Sequence, residues 1–246
     1  MQPKVSVGES LSQVFSIYGA NAGVLLPVAF WLFLLVAIFD GLIGTDASYF
    51  PLVVAVTTVA ATLYKGMVVG LVREGPEGLR EPSFGALVDY ARPVFGPLVV
   101  AGVLSGLAIA AGLIAFAVPG LFLLTIWAVI APVIVVERSS VMDSFRRSRE
   151  LVRGNGWQVF GVVIIALLIE AAGSLAFFYV ATGIADGPLV RIVFAALAAT
   201  ITAPVTALAA GVLYYRLLAL PRHNRPSGVS NDSASGSGST TTSDVK

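Results

Sequence analysis

Six long apolar runs, separated by short polar segments, dominate the pattern of hydrophobic and polar positions along the chain. They cover about residues 22–39, 51–72, 94–117, 119–136, 157–182 and 188–218. A bilayer core about 30 Å thick needs roughly 20 apolar residues in a helix that rises 1.5 Å per residue. The runs come close to this length or exceed it, so the pattern predicts six transmembrane helices.

The third and fourth runs are separated only by Val118, Pro119 and Gly120. A single helix across both runs would exceed about 40 residues, which is too long for a bilayer. Because a Pro-Gly pair favours a turn, we expect a tight hairpin at this point. The predicted fold class is an all-α membrane protein whose six transmembrane helices form three hairpins, each preceded by a short amphipathic interfacial helix.

The three interfacial helices are expected from a weak internal repeat. Segments that begin with a Ser-apolar pair at Ser10, Ser83 and Ser144 each lead into two apolar runs. When the segments are aligned on that pair, Asn21 matches Asn155. Chance agreement is an alternative, but each unit has the order interfacial segment, helix out, turn and helix back.

The composition agrees with a membrane protein. Hydrophobic residues make up 57% and charged residues 12% of the 246 residues, and the mean hydropathy is +0.90. Soluble domains carry about 25% charged residues. The net charge of +1 argues against a nucleic-acid partner. The first apolar run begins late for a cleaved signal peptide, so we expect it to be a retained membrane helix.

The positions of Lys and Arg predict the orientation. All but two of these 15 residues fall on one side of the six predicted helices. The exceptions are Arg191 on the other side and Lys65 within a helix. Because cytoplasmic loops are enriched in Lys and Arg, we expect a plasma-membrane protein with both termini in the cytoplasm.

The end of the chain differs from the rest in composition. Residues 222–246 are rich in Ser, Thr and Gly and contain few apolar side chains. Such a segment cannot bury a core. We therefore predict a disordered cytoplasmic tail after a six-helix transmembrane domain of residues 1–221.

The segment between the fourth and fifth runs carries the first candidate site. Apolar residues on one face and ion pairs four residues apart on another predict an amphipathic helix. Arginines at headgroup depth suit anionic lipid phosphates, and Trp suits the interface. A solvated cytoplasmic helix explains the pattern equally well. The candidate lipid-headgroup elbow consists of Arg146, Arg147, Arg149, Arg153, Asn155 and Trp157.

Glu170 is the centre of a second candidate site, inside the membrane. It lies about 20 Å along its predicted helix from Trp157 and has apolar neighbours in sequence. A carboxylate there needs a partner, a wet cavity or a proton. Lys65 and Arg191 are the candidate partners. A structural pair that locks the bundle is preferred to a proton or substrate site, because transport sites usually recruit several polar groups.

Two observations limit the chemistry of the chain. It has no cysteine, and its single histidine, His223, lies beyond the last apolar run. These facts exclude disulfides, thiolate zinc sites and a histidine-based triad or metal site within the bilayer. No phosphate-binding loop motif is present. We therefore expect no enzymatic activity, no cofactor and no metal.

Small residues spaced four apart predict close contacts between helices. Gly66 and Gly70 form one Gly-x-x-x-Gly motif, and Gly102 and Gly106 form another. Such motifs let helix backbones approach each other. Packing within one chain is preferred here to a dimer interface.

Residues 119–162 carry a family resemblance. The segment has a Pro-Gly that opens a helix, a Trp and a Pro within it, an acidic residue, and then a basic segment that enters the next helix. It resembles the membrane domain of bacterial glycerophosphoryl diester phosphodiesterases and its stand-alone multi-pass relatives. The positions that match are Pro119, Gly120, Trp127, Pro132, Glu137, Ser148, Arg149, Leu151, Val152, Gly154, Asn155 and Trp157.

The resemblance extends less specifically over residues 5 to about 220. It departs from the family at Arg216, where an acidic residue often follows the tyrosines. In the full-length enzymes, hydrolysis belongs to a separate soluble barrel. The resemblance therefore implies a membrane domain without diesterase activity.

Two functions follow as expectations. The preferred one is a non-enzymatic integral membrane protein that interacts with membrane lipids or other envelope proteins. The alternative is a small transporter or permease-like protein that uses Glu170. A membrane enzyme that acts on lipid is the least supported, because clustered catalytic groups are lacking. The sequence does not indicate the oligomeric state.

Overall fold

The fold is helical throughout the described part of the chain. The computed structural model describes residues 5–43, 47–72, 84–184 and 187–220, and no strand occurs among them. Six helical stretches within these residues are long and apolar enough to cross a membrane. The prediction of an all-helical chain with six helices suited to crossing a membrane is confirmed. The predicted tail, residues 222–246, and Ser83 of the second repeat lie outside the described residues.

Nine α-helices make up the described structure, and short 3₁₀ turns at Ala47–Tyr49 and Arg92–Val94 precede the second and fourth of them. The helices are α1 (Val7–Ile43), α2 (Phe50–Val72), α3 (Phe84–Ala91), α4 (Phe95–Ala115), α5 (Ala117–Ile126), α6 (Ile130–Glu137), α7 (Val141–Val152), α8 (Gly156–Ile184) and α9 (Pro188–Leu218).

The first predicted interfacial segment is not a separate helix. It is continuous with the first span, because α1 runs without a break over its 37 residues. No turn signal interrupts residues 7–21, and Val14 within them is fully buried. The segments before the other two pairs of runs do contain separate helices, α3 and α7.

The turn between the third and fourth predicted runs lies earlier than the Pro-Gly pair. Phe116, with φ −158° and ψ 136°, is the extended residue that ends α4 and precedes α5. Pro119 and Gly120 lie in the first turn of α5, where proline needs no helical hydrogen bond for its missing N–H. Gly112 and Gly120 bring α4 and α5 close together, since a Cβ on Gly112 would lie 3.1 Å from the Gly120 Cα.

The fourth predicted span is broken into α5 and α6. Residues 127–129 form a turn between them. The Ile130 N–H donates to the Trp127 carbonyl, 3.3 Å away, so the backbone is more tightly wound than an α-helix here. Pro132 lacks an N–H and leaves the Ala128 carbonyl without its usual partner four residues later.

The last helix, α9, occupies the centre of the bundle. It packs against α1, α2 and α8. Small buried residues such as Ala203, Ala207 and Gly211 allow this close approach. A Cβ on Gly211 would lie 2.7 Å from a methyl group of Val72 on α2.

Glycines also fix the contact between α2 and α4. A Cβ on Gly102 would lie 3.0 Å from the Val59 Cα, and one on Gly106 would lie 2.5 Å from the Thr58 hydroxyl. Both members of this Gly-x-x-x-Gly motif therefore pack within the chain. No such contact surrounds Gly96, near the beginning of α4, where nothing lies within 4 Å of the position that a Cβ would take.

We predict that Gly102→Leu lowers the free energy of unfolding of the purified protein by about 2 kcal/mol or more, because the Val59 backbone cannot make room for the side chain. Gly96→Ala on the same helix is the control and should leave stability unchanged or slightly higher. Thermal unfolding in detergent measures both variants. Equal stability of Gly102→Leu and the unmodified protein would contradict this packing.

Candidate functional site

An elongated cavity lies among α2, α4, α5, α6, α8 and α9. Its volume is about 420 Å³. Along α2 it extends from Phe50 to Lys65, a distance of about 22 Å at 1.5 Å per residue. Most of its wall is apolar. The polar side chains that line it are Thr58, Thr62, Lys65, Ser105 and Thr206.

The hydroxyl groups that line this cavity donate their hydrogens to backbone carbonyls of their own helices. Each one donates to a backbone carbonyl three or four residues earlier, at 2.6 to 3.0 Å. A hydroxyl has one hydrogen to donate and two lone pairs that accept. The four hydroxyls therefore offer mainly acceptor oxygens to the cavity.

Lys65 places a side-chain amine in the cavity wall. Among the described residues it has no direct ion pair or hydrogen bond. Glu170 on α8 lies beside the cavity, three residues beyond the wall residue Leu167. Its carboxylate lies near Thr206 of α9 and is close enough to Lys65 for an electrostatic interaction.

The structure brings only one of the two candidate cations toward Glu170. Arg191 lies in the first turn of α9, 15 residues before Thr206. This separation corresponds to about 22 Å along the helix. Lys65 approaches Glu170, whereas Arg191 lies near the opposite end of α9.

The break between α5 and α6 forms part of the cavity wall, through Trp127, Ala128 and Ile130. The Ile126 carbonyl has lost its helical donor at this break. Instead it accepts a hydrogen bond of 2.8 Å from the Ser148 hydroxyl on α7. Pro132 indicated an interruption of this helix, but neither the position of the break nor the cavity was predicted from the sequence.

The inner face of α7 packs against the protein. Ser144, Ser148 and Leu151 are fully buried. The Phe145 ring meets the Trp127 ring edge to face, with centroids 4.8 Å apart. The amphipathic pattern of this segment therefore marks a helix whose apolar face is covered by other helices of the chain.

Arg147 also faces inward. Its Nε lies 3.1 Å from both carboxylate oxygens of Glu137, at the end of α6. The same carboxylate accepts a 3.1 Å hydrogen bond from the hydroxyl of Tyr214 on α9. This cluster ties α6, α7 and α9 together, so Arg147 has a structural contact that sequence spacing did not indicate.

The other arginines of the elbow point outward. Arg146 pairs with Asp143 at 3.1 Å but is still 74% exposed. Arg149 and Arg153 are exposed and have no described carboxylate partner. Trp157, at the beginning of α8, is 83% exposed.

Asn155 precedes α8 and is almost fully buried. Its side-chain oxygen has no hydrogen-bond partner among the described residues. The adjacent Gly154 has φ 91°, a left-handed conformation that glycine adopts without strain. The pair therefore forms the sharp change of direction between α7 and α8.

An apolar groove of about 640 Å³ lies next to this turn. One wall comes from α5, through residues such as Val118 and Phe122. The other comes from the beginning of α8, through Trp157 and Phe160. The outward-facing cations and this groove occupy the same region of the surface.

No protein-family model, curated protein or solved structure matches the chain. The resemblance of residues 119–162 to the phosphodiesterase membrane domain therefore stays a prediction based on those residues. Among the described residues, no group of three or more His, Asp or Glu side chains could hold a metal ion.

We predict that Tyr214→Phe lowers the free energy of unfolding by about 1–2 kcal/mol, because Glu137 loses a buried donor. Tyr179→Phe is the control, since the Tyr179 side chain is 69% exposed, and should have little effect. Thermal unfolding of both variants tests this expectation. A Tyr214→Phe protein as stable as the control would show that the cluster contributes nothing measurable.

Proposed function

We propose that this chain is a non-enzymatic protein of the plasma membrane that binds anionic lipid headgroups through the elbow between α7 and α8. In this proposal both termini lie in the cytoplasm, and the helices cross the bilayer as three successive pairs. The uneven distribution of Lys and Arg along the sequence supports this orientation.

The observation that carries the proposal is the grouping of exposed cations with an exposed tryptophan. Arg149 and Arg153 have no described carboxylate partner, and Trp157 follows them in sequence. An indole ring is favoured at the boundary between headgroups and acyl chains. Each Lys or Arg near an anionic membrane surface contributes about 1 kcal/mol of attraction.

The packing of α7 supports binding by charge rather than by insertion of the helix. Its apolar face is covered by the protein through Phe145, Ser148 and Leu151. Binding strength of interfacial helices comes from buried apolar area together with electrostatic attraction. Here electrostatic attraction is available on the outer face of α7. Burial of apolar area is limited to Trp157 and the adjacent groove.

We expect the combined variant Arg146→Gln, Arg149→Gln and Arg153→Gln to reduce anionic phospholipid that co-purifies with the protein by about a hundredfold, because three cations at about 1 kcal/mol each are lost. Arg147 stays unchanged because it holds Glu137. Mass spectrometry of bound lipid and a vesicle series of rising anionic content provide the measurements.

Arg92→Gln is the matched control, because Arg92 is exposed and lies outside the elbow. As the loss of a single cation, it should lower bound anionic lipid by about fivefold at most, far less than the triple variant. Equal anionic lipid in the triple variant, the control and the unmodified protein would contradict headgroup binding at the elbow.

A further inference from the structure

The charge on Lys65 lacks a direct counter-ion among the described residues, in an apolar region of the bundle. An isolated charge in such a place is costly and typically marks a functional site. Glu170 offsets part of this charge from a distance, but it is not part of the cavity wall. The cavity surface therefore presents the Lys65 amine, and an anionic ligand beside it stabilises the protonated form, which donates hydrogen bonds.

The shape of the cavity restricts the ligand. It is long, and apolar side chains from several helices line it beyond its polar residues. Phe50 and Ile114 lie at the end opposite Lys65 along α2 and α4, and Ile114 is 73% exposed. A ligand that fits this arrangement has a polar head near Lys65 and an apolar chain toward Ile114.

The broken helix provides a second, independent indication of a binding site. Non-helical backbone at membrane depth is tolerated where it is buried in protein or lines a cavity. Discontinuous helices commonly form the substrate sites of membrane transporters. Residues 127 and 128 of the break lie in the wall of this same cavity.

We propose that the cavity binds a single-chain amphiphile with an anionic head group, and that Lys65 is the counter-ion of that group. The hydroxyl oxygens of Thr62 and Ser105 are acceptors, so they can hydrogen-bond a hydroxyl or water that accompanies the head group. This inference goes beyond headgroup binding at the elbow and does not depend on it.

The proposal assigns different effects to the two charged residues. Lys65 attracts the anionic head through a charge-assisted hydrogen bond. Glu170, if ionised, repels it. A site that used Glu170 to bind a cation or a proton-coupled substrate, the alternative suggested by the sequence, would have the opposite dependence on these residues.

Equilibrium binding of radiolabelled decanoate to the full-length protein in detergent tests the charge requirement. Lys65→Met should weaken decanoate binding by about tenfold or more, because a hydrogen bond to a charged group contributes about 1.5–3 kcal/mol. Glu170→Gln should leave binding unchanged or tighter. Decylamine, which carries a cationic head on the same chain, should not compete.

Ala110→Phe and Ala111→Phe test the location of the apolar chain. Ala110 lines the cavity, whereas the neighbouring Ala111 is exposed on the outside of α4. The first variant should reduce decanoate binding by about tenfold, because its ring fills space that the apolar chain of the ligand occupies. The second should bind normally.

Further measurements separate this site from the elbow and identify the head group. The triple elbow variant should bind decanoate as the unmodified protein does, so the two proposals can fail separately. Competition by decyl phosphate compared with unlabelled decanoate distinguishes a phosphate from a carboxylate head, and binding of either supports the site.

The thermal stability of Lys65→Met separates a role of Lys65 in ligand binding from a structural role. Because Lys65 has no direct ion pair among the described residues, Lys65→Met should remain folded with unchanged thermal stability. Three results would overturn the proposal: absence of binding of both anionic amphiphiles, unchanged binding by Lys65→Met, or loss of binding in Glu170→Gln. A large loss of stability in Lys65→Met without any ligand effect would instead assign Lys65 a structural role.

Discussion

The hydrogen bond from Ser148 to the Ile126 carbonyl is the interaction on which the arrangement of the central part of the chain depends. A backbone carbonyl inside a membrane protein must find a donor within the protein, since lipid tails provide none. The break in the fourth span removes the helical donor of Ile126, and Ser148 replaces it at 2.8 Å. This bond attaches α7 to the point where α5 ends.

The two proposed binding regions meet at this break. Trp127 contacts Phe145 of α7 and also lines the cavity. Glu137, at the other end of α6, accepts hydrogen bonds from Arg147 of α7 and Tyr214 of α9. Together these contacts hold α7 so that its other arginines face outward, while α5 and α6 form one wall of the cavity.

The six candidate membrane spans and their helical structure could be predicted from the sequence, because a long apolar run has few stable structures other than a membrane helix. The break at residues 127–129 was harder to predict. Pro132 signals an interruption, but its exact place depends on Ser148, a donor from another helix. The turn at Phe116 was likewise displaced from Pro119 and Gly120, because proline fits the first turn of α5.

The site residues could also be predicted only in part, because their partners lie on other helices. Glu170 was recognisable as a charge among apolar neighbours, but the choice between Lys65 and Arg191 depends on how α2, α8 and α9 pack. Thr58, Thr62 and Lys65 form a polar stripe at positions i, i+4 and i+7 of α2, which sequence inspection could have found. The inward position of Arg147 could not be read from spacing alone, because its partner Glu137 lies on another helix.

Hydrogen–deuterium exchange of the Ser148→Ala variant tests the central role of the Ser148 bond most directly. Ser10→Ala is the matched control, since Ser10 is also fully buried but its hydroxyl bonds only to the Ser6 carbonyl next to α1. We expect faster exchange in residues 126–131 and 144–152 of Ser148→Ala and no change there in Ser10→Ala. Exchange in both segments equal to that of the unmodified protein would contradict the coupling of α7 to the broken helix.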